Sequence, residues 1–193
     1  FTKDIFGRAT GVKVGSQSLV TYNYDTRGNL TTTEFGNGHK TLVDYDPLDQ
    51  VKAYKVYNSA TGNYETKFRY EYDASGNVGY EYDVAANLSH RYFYDSANRL
   101  VKETASDGSS LTLGFDATGQ TTQIQESFGT QSYSTAFAYD KDGKLTTLTS
   151  AGGSLTHTYD SLGRLVKTTR KSGTILKDTT YTYQAGVNGS TSN

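Results

Sequence analysis

The 193-residue chain has no cysteine, no methionine, no tryptophan and a single proline. Without cysteine there are no disulfides, no thiolate metal sites and no thiol nucleophile. Without methionine, the sequence reads as a piece processed or excised from a longer chain. An excess of one charge is also lacking: 19 Lys+Arg stand against 20 Asp+Glu, for a net charge of −1. Neither nucleic acid nor an anionic membrane is therefore expected as the main partner. No apolar run approaches the roughly 20 residues of a membrane helix, so no membrane insertion is expected. Apolar residues spaced i, i+3, i+4, i+7 are missing too, which predicts very little helix.

What is present is aromatic and turn-forming. The chain carries 17 Tyr, 8 Phe and 20 Gly, while its hydrophobic content is only 34 %. Low hydrophobicity with this many aromatics is not the signature of disorder. Tyr and Thr suit a pleated, half-buried surface, and Gly suits sharp reversals. These features predict β structure with aromatic side chains across one face.

A short phrase recurs: aromatic, Asp, two variable residues, a turn residue, one more residue, then an aliphatic. Tyr24-Asp25-Thr26-Arg27-Gly28-Asn29-Leu30 is the cleanest copy. Others start at Tyr72-Asp73, Tyr82-Asp83, Tyr94-Asp95, Tyr139-Asp140 and Tyr159-Asp160, with weaker copies at Asp4, Asp46 and Asp116. Most copies lie about 20–27 residues apart, and second turn signals such as Gly36-Asn37-Gly38 and Asp107-Gly108 fall near the midpoints. Each repeat thus holds two reversals and two strands, with Asp83 in the slot of the simpler turn.

The phrase is local chemistry. An Asp at turn position i accepts the backbone N–H two residues on. A residue tolerating positive φ at i+3 completes a type I turn with a G1 bulge. The structural turn pairs are Asp25 with Gly28, Asp73 with Gly76, Asp95 with Asn98, Asp140 with Gly143, and Asp160 with Gly163. Ala86 misfits this pattern, which predicts a different turn after Asp83. The three-residue loop sets Tyr24 opposite Leu30 and Tyr22 opposite Thr32, and likewise Tyr45–Val51, Tyr72–Val78, Tyr82–Leu88, Tyr94–Leu100, Tyr139–Leu145 and Tyr159–Leu165. Tyr24, Tyr45, Tyr72, Tyr82, Tyr94, Tyr139 and Tyr159 are then expected to line one aromatic face, joined by Tyr70, Tyr80, Tyr92 and Phe137. The other face is expected to be largely Thr, Ser, Asn, Lys and Glu.

Both turn kinds together give roughly 18 strands of about 6–8 residues. So many strands with one apolar face must coil or close. The predicted fold is all-β: an antiparallel meander of repeated β-hairpins wound into a spiral or wide barrel-like shell wall. Residues 1–193 read as a single array, an excerpt of a longer one.

The Y-x-Y-D-x-x-G-x-L phrase resembles the YD repeat of bacterial Rhs and wall-associated proteins, insecticidal toxin complexes and animal teneurins. It runs through nearly the whole chain. Tyr181-Thr182-Tyr183-Gln184 resembles the start of a further copy, and Val187–Thr191 resembles segments between repeats of Gram-positive members. The resemblance implies a secreted or cell-surface protein whose repeats wind into a hollow shell. In bacteria such a shell often encloses a toxin domain, and in teneurins it supports adhesion. The implied partners are adjacent repeats of a parent chain, an enclosed toxin domain, and a glycan or cell-surface protein. The chain lacks the closing motif of many bacterial shells and any toxin domain of its own.

No catalytic set emerges. His39, His90 and His157 lie far apart, with no ligand spacing between them. Asp140-Lys141-Asp142-Gly143 opens like a calcium loop, but Ala151 stands where the bidentate Glu belongs. Phosphate-loop, dinucleotide and hydrolase-elbow motifs are absent, so no cofactor and no enzyme is implied. A tyrosine stripe exposed to solvent is the feature that would bind sugar or protein. A stripe packed on the sheet would be structural.

Overall fold

A computed structural model of the chain describes residues 1–183. Gln184 and the Val187–Thr191 segment lie outside the described residues. Within them are 17 β-strands and no helix. The chain divides into two compact units, Phe1–Ser110 and Leu111–Asn193.

The first unit holds β1 (Thr2–Lys3), β2 (Ala9–Val14), β3 (Gln17–Tyr24), β4 (Leu30–Phe35), β5 (Lys40–Tyr45), β6 (Val51–Asn58), β7 (Asn63–Tyr72), β8 (Val78–Asp83), β9 (Leu88–Tyr94) and β10 (Leu100–Ala105). Each pairs antiparallel with the next, so the unit is an uninterrupted meander. β11 (Ser110–Phe115) leads into the second unit. There β12 (Thr121–Phe128), β13 (Gln131–Tyr139), β14 (Leu145–Ser150), β15 (Gly153–Tyr159), β16 (Leu165–Ser172) and β17 (Ile175–Thr180) form a second antiparallel meander.

The core is sparse. Val20 and Ala53 are the buried hydrophobics among the described residues, and no large side chain is fully buried. Hydrophobic burial of the usual depth is thus missing, and cross-strand pairs on a single layer replace it. Tyr24 opposes Leu30, Tyr45 opposes Val51, Tyr72 opposes Val78 and Tyr94 opposes Leu100. In the second unit Tyr139 opposes Leu145 and Tyr159 opposes Leu165.

Two register assignments need correction. Every one of these hairpins carries an extra residue just past the aliphatic. Asn23 pairs with Thr32 while Tyr24 pairs with Leu30, which leaves Thr31 unpaired, so Tyr22 faces Thr33 rather than Thr32. Lys52, Gly79, Val101, Thr146 and Val166 are skipped in the same way. A bulge residue shifts the alternation of everything after it by one. Tyr80 therefore opposes Glu71 and Tyr82 opposes Arg69, which puts both rings on the face opposite Tyr70 and Tyr72. Tyr82 is thus not part of the Tyr24 face and does not pair with Leu88. Asp83 opposes Leu88 across a four-residue loop, with Asn87 at φ 50°.

Candidate functional site

The most repetitive geometry lies along the edge where the Asp turns sit. Eight turns share one hydrogen-bond set, starting at Asp4, Asp25, Asp46, Asp73, Asp95, Asp116, Asp140 and Asp160. In each, the Asp N–H donates to the carbonyl four residues on, and the N–H of the fourth turn residue donates back to the Asp carbonyl. The Asp Oδ1 accepts two further backbone N–H groups, as at Asp25 from Arg27 (2.9 Å) and Asn29 (2.8 Å). The fourth residue has positive φ throughout: 97° at Gly28, 64° at Asp49 and 58° at Asn98. Asp83 is the exception, since its carboxylate accepts from Ala85 and Ala86.

These bonds tune the carboxylates. Asp73 is held below the usual range, first by the Asn77 side chain and then by the Asn77 backbone N–H. Asp95 is lowered first by the Arg99 side chain, and Asp140 first by the Lys144 backbone. Carboxylates that accept several N–H groups favour their charged form.

Successive turns also touch. The fifth turn residue of one copy reaches the fourth residue of the next. Asn29 Nδ2 donates to Asp49 Oδ1 (2.6 Å), Asn77 Nδ2 to Asn98 Oδ1 (3.0 Å) and Gln120 Nε2 to the Gly143 carbonyl (2.8 Å). Arg8 lies beside Gly28 with its guanidinium 4.4 Å from the Tyr24 ring centroid, and Lys144 lies beside Gly163.

The phrase tyrosines form a second set of links. Tyr24 donates its hydroxyl to the Ala9 carbonyl, Tyr45 to Leu30, Tyr72 to Val51 and Tyr94 to Val78, at 2.8–3.0 Å. In the second unit Tyr139 donates to Thr121, Tyr159 to Leu145 and Tyr183 to Leu165. The acceptor is always the residue just after the preceding turn of this type. These rings are half-buried or, at Tyr183, exposed, with their polar ends satisfied. Tyr82 again departs, donating to Asn87 Oδ1.

The histidines do not converge. His39 packs on Phe35, His157 Nδ1 lies 3.0 Å from Thr168 Oγ1, and His90 Nδ1 lies 2.7 Å from Glu103 Oε1. Among the described residues no group of His, Asp and Glu is placed to hold a metal ion. Beside His90, burial pushes the Tyr92 phenol up to about 12, with Glu81 and Glu103 adding to the shift.

An open groove of about 870 Å³ lies in the first unit, floored by Ala53 and walled by Arg69, Tyr80 and Tyr82. Sequence reasoning missed it, because it depends on Tyr80 and Tyr82 turning to the second face. It also missed the reach from turn to turn. The signal for that was the fifth turn position itself, which is a long polar side chain in all eight turns: Arg8, Asn29, Gln50, Asn77, Arg99, Gln120, Lys144 and Arg164.

Comparison with known proteins places this geometry. The Teneurin YD-shell family matches residues 36–186. The chain is 30% identical over 201 residues to the tRNA nuclease WapA of Bacillus subtilis and to the tRNA3(Ser)-specific nuclease WapA of Bacillus spizizenii. The match covers 92% of this chain and 8% of each relative, so the chain spans less than a tenth of their length. Among solved structures, it is similar to the TcdB2-TccC3-TEV structure (TM-score 0.70, 15% identity, 93% of this chain and 12% of that one). It is likewise similar to the Tc holotoxin pore of Photorhabdus luminescens (TM-score 0.66, 18% identity, 83% of this chain and 9% of that one).

Proposed function

Because the chain belongs to the Teneurin YD-shell family, we propose that it is a stretch of shell wall without catalytic chemistry of its own. Its parent is a secreted or surface bacterial protein whose wound sheet encloses a toxin domain. The observation that carries this reading is the repeated tyrosine link, in which seven phrase tyrosines tie their hydroxyls to the backbone just past the preceding turn. Such links stiffen a single layer that has almost no core. A wall around a cargo needs that stiffness. The turn pairs from Asp25–Gly28 to Asp160–Gly163 act as the folding points of that wall.

Two measurements test it. The isolated chain is incubated with tRNA, the substrate named for its nuclease relatives. No cleavage is expected, and cleavage abolished by a point substitution in this chain would end the non-catalytic reading. The full-length parent protein is digested with protease before and after mild denaturation. A terminal domain that resists digestion until the repeats open supports enclosure. Equal digestion in both states would rule enclosure out.

A further inference from the structure

Charge is near zero overall, but it is sorted between the two faces of β7–β10. The face of Tyr70, Tyr72, Tyr92 and Tyr94 takes the acids Glu65, Glu81, Asp83 and Glu103, with one lysine, Lys67, paired to Glu65. The opposite face takes Arg69, Arg91 and Lys102, with Glu71 as its one carboxylate. All three cations are exposed. Among the described residues none has a carboxylate within ion-pair distance, whereas neighbouring Lys55 and Lys40 are paired with Asp44 and Glu34.

Each of these cations lies over an aromatic ring of the adjacent strand. Arg69 is 5.9 Å from the Tyr82 centroid, Arg91 is 5.1 Å from Tyr80, and Lys102 is 6.0 Å from Phe93. Phe93 is 47% exposed, on the face that strand alternation and its pairing with Lys102 give it. Strand spacing and rise put Arg69 about 12 Å from Arg91, and Arg91 about 8 Å from Lys102, on one diagonal. Of the three, Arg69 reaches the groove walled by Tyr80 and Tyr82, where Arg27, Lys52 and Lys55 stand against Asp25, Asp44 and Glu71.

We propose that this face binds an anionic polysaccharide, a chain of sugar rings bearing carboxylates. The cations meet the carboxylates, and the exposed ring of Phe93 beside them gives an apolar surface on which a sugar ring rests. The Ser89 and Thr104 hydroxyls share the face and suit sugar hydroxyls. Nucleic acid fits less well, because a strand carries a phosphate about every 3.4 Å and these cations would neutralise a minority of them. A strand-forming peptide needs a free sheet edge, and β7, β8 and β9 are paired on both sides. The inference does not depend on enclosure of a toxin, and each can fail without the other.

The test uses polygalacturonate as the probe, measured by calorimetry at low and physiological salt. Neutral dextran, an oligo-dT strand and polyglutamate serve as competing classes. The full chain is compared with a triple variant, Arg69→Ala, Arg91→Ala and Lys102→Ala. A control triple variant, Lys3→Ala, Lys13→Ala and Lys177→Ala, has the same net charge. Melting curves establish that both variants fold. The expected result is binding of polygalacturonate but not dextran, at least ten-fold weaker in the first variant and unchanged in the control. Phe93→Ser is expected to weaken binding several-fold. The proposal is overturned by no binding, by equal loss in both triple variants, by equal binding of dextran, or by tighter binding of oligo-dT or polyglutamate.

Discussion

The hydroxyl of Tyr45 donates to the backbone carbonyl of Leu30 at 2.9 Å, which ties the end of β5 to the start of β4. β4 and β5 are paired neighbours, and the bond satisfies the one polar atom of the half-buried ring. The same link recurs from Tyr24 to Tyr183, so a single substitution samples a general device.

Tyr45→Phe removes that bond and leaves the ring. A loss of about 1 kcal/mol is expected, the usual net worth of one hydrogen bond. Urea unfolding checks it, with Tyr64→Phe as the control. A Tyr45→Phe midpoint equal to that of the control would mean the link carries no stability.

Gly28 combines φ of 97° with the Arg8 guanidinium 3.2 Å from where a Cβ would stand. Gly28→Val asks a β-branched residue to enter the left-handed region and displace Arg8. A cost of about 2–3 kcal/mol is expected from strain of this kind. Unchanged thermal stability would refute the turn geometry.

Gly153 is stricter. At φ 135°, an added Cβ would lie 2.0 Å from the Lys171 carbonyl oxygen, a backbone atom on β16. Gly153→Ala is expected to part β15 from β16. Hydrogen exchange should show lost protection along both strands while β3–β6 stay protected.

The turn carboxylates give an acid limit. Asp73, Asp95 and Asp140 are lowered from their ordinary value of 3.8. Below about pH 4 the unfolded chain therefore binds more protons than the native one. Their stabilisation is complete above the unfolded value and disappears as pH falls through the lowered native values. Melting temperature should hold steady from pH 7 to 5 and drop below 4. Asp73→Asn should start lower at pH 7 and drop less. A parallel curve for this variant would remove Asp73 from the account.

The opposite limit belongs to Tyr92, raised to about 12 chiefly by burial and then by Glu81 and Glu103. An unfolded tyrosine ionises near 10. Between pH 10 and 12 the native state thus holds a proton that the unfolded state has released, and stability declines across that window. Tyr45, Tyr70, Tyr72 and Tyr94 are raised as well, so absorbance at 295 nm should show a group of late phenols in the wild type, the last of them missing in Tyr92→Phe. Ionisation of every phenol near pH 10 in folded protein would contradict it.

Much of this was legible because the information is local. Asp25, Gly28 and the three residues between Asp25 and Asn29 fix the turn, and the turn fixes Tyr24 against Leu30. The unpaired residue after the aliphatic was not legible. Thr31, Lys52, Gly79, Val101, Thr146 and Val166 share no chemistry, because a bulge constrains the backbone and not the side chain. Missing it sent Tyr80 and Tyr82 to the wrong face and hid the groove. The reach of Asn29 to Asp49 was written in the composition of the fifth turn position. Its partner lies 20 residues away and is found only once turns stack.

The tyrosine links span 14 to 21 residues and none reaches further. Each link ties a phrase to the one before it, so order propagates in one direction along the polypeptide. A chain emerging amino terminus first, from a ribosome or an export channel, has the acceptor of every new link already in place. Such a sheet grows by accretion, as a row of nearest-neighbour steps. It need not wait for its last strand to become stable.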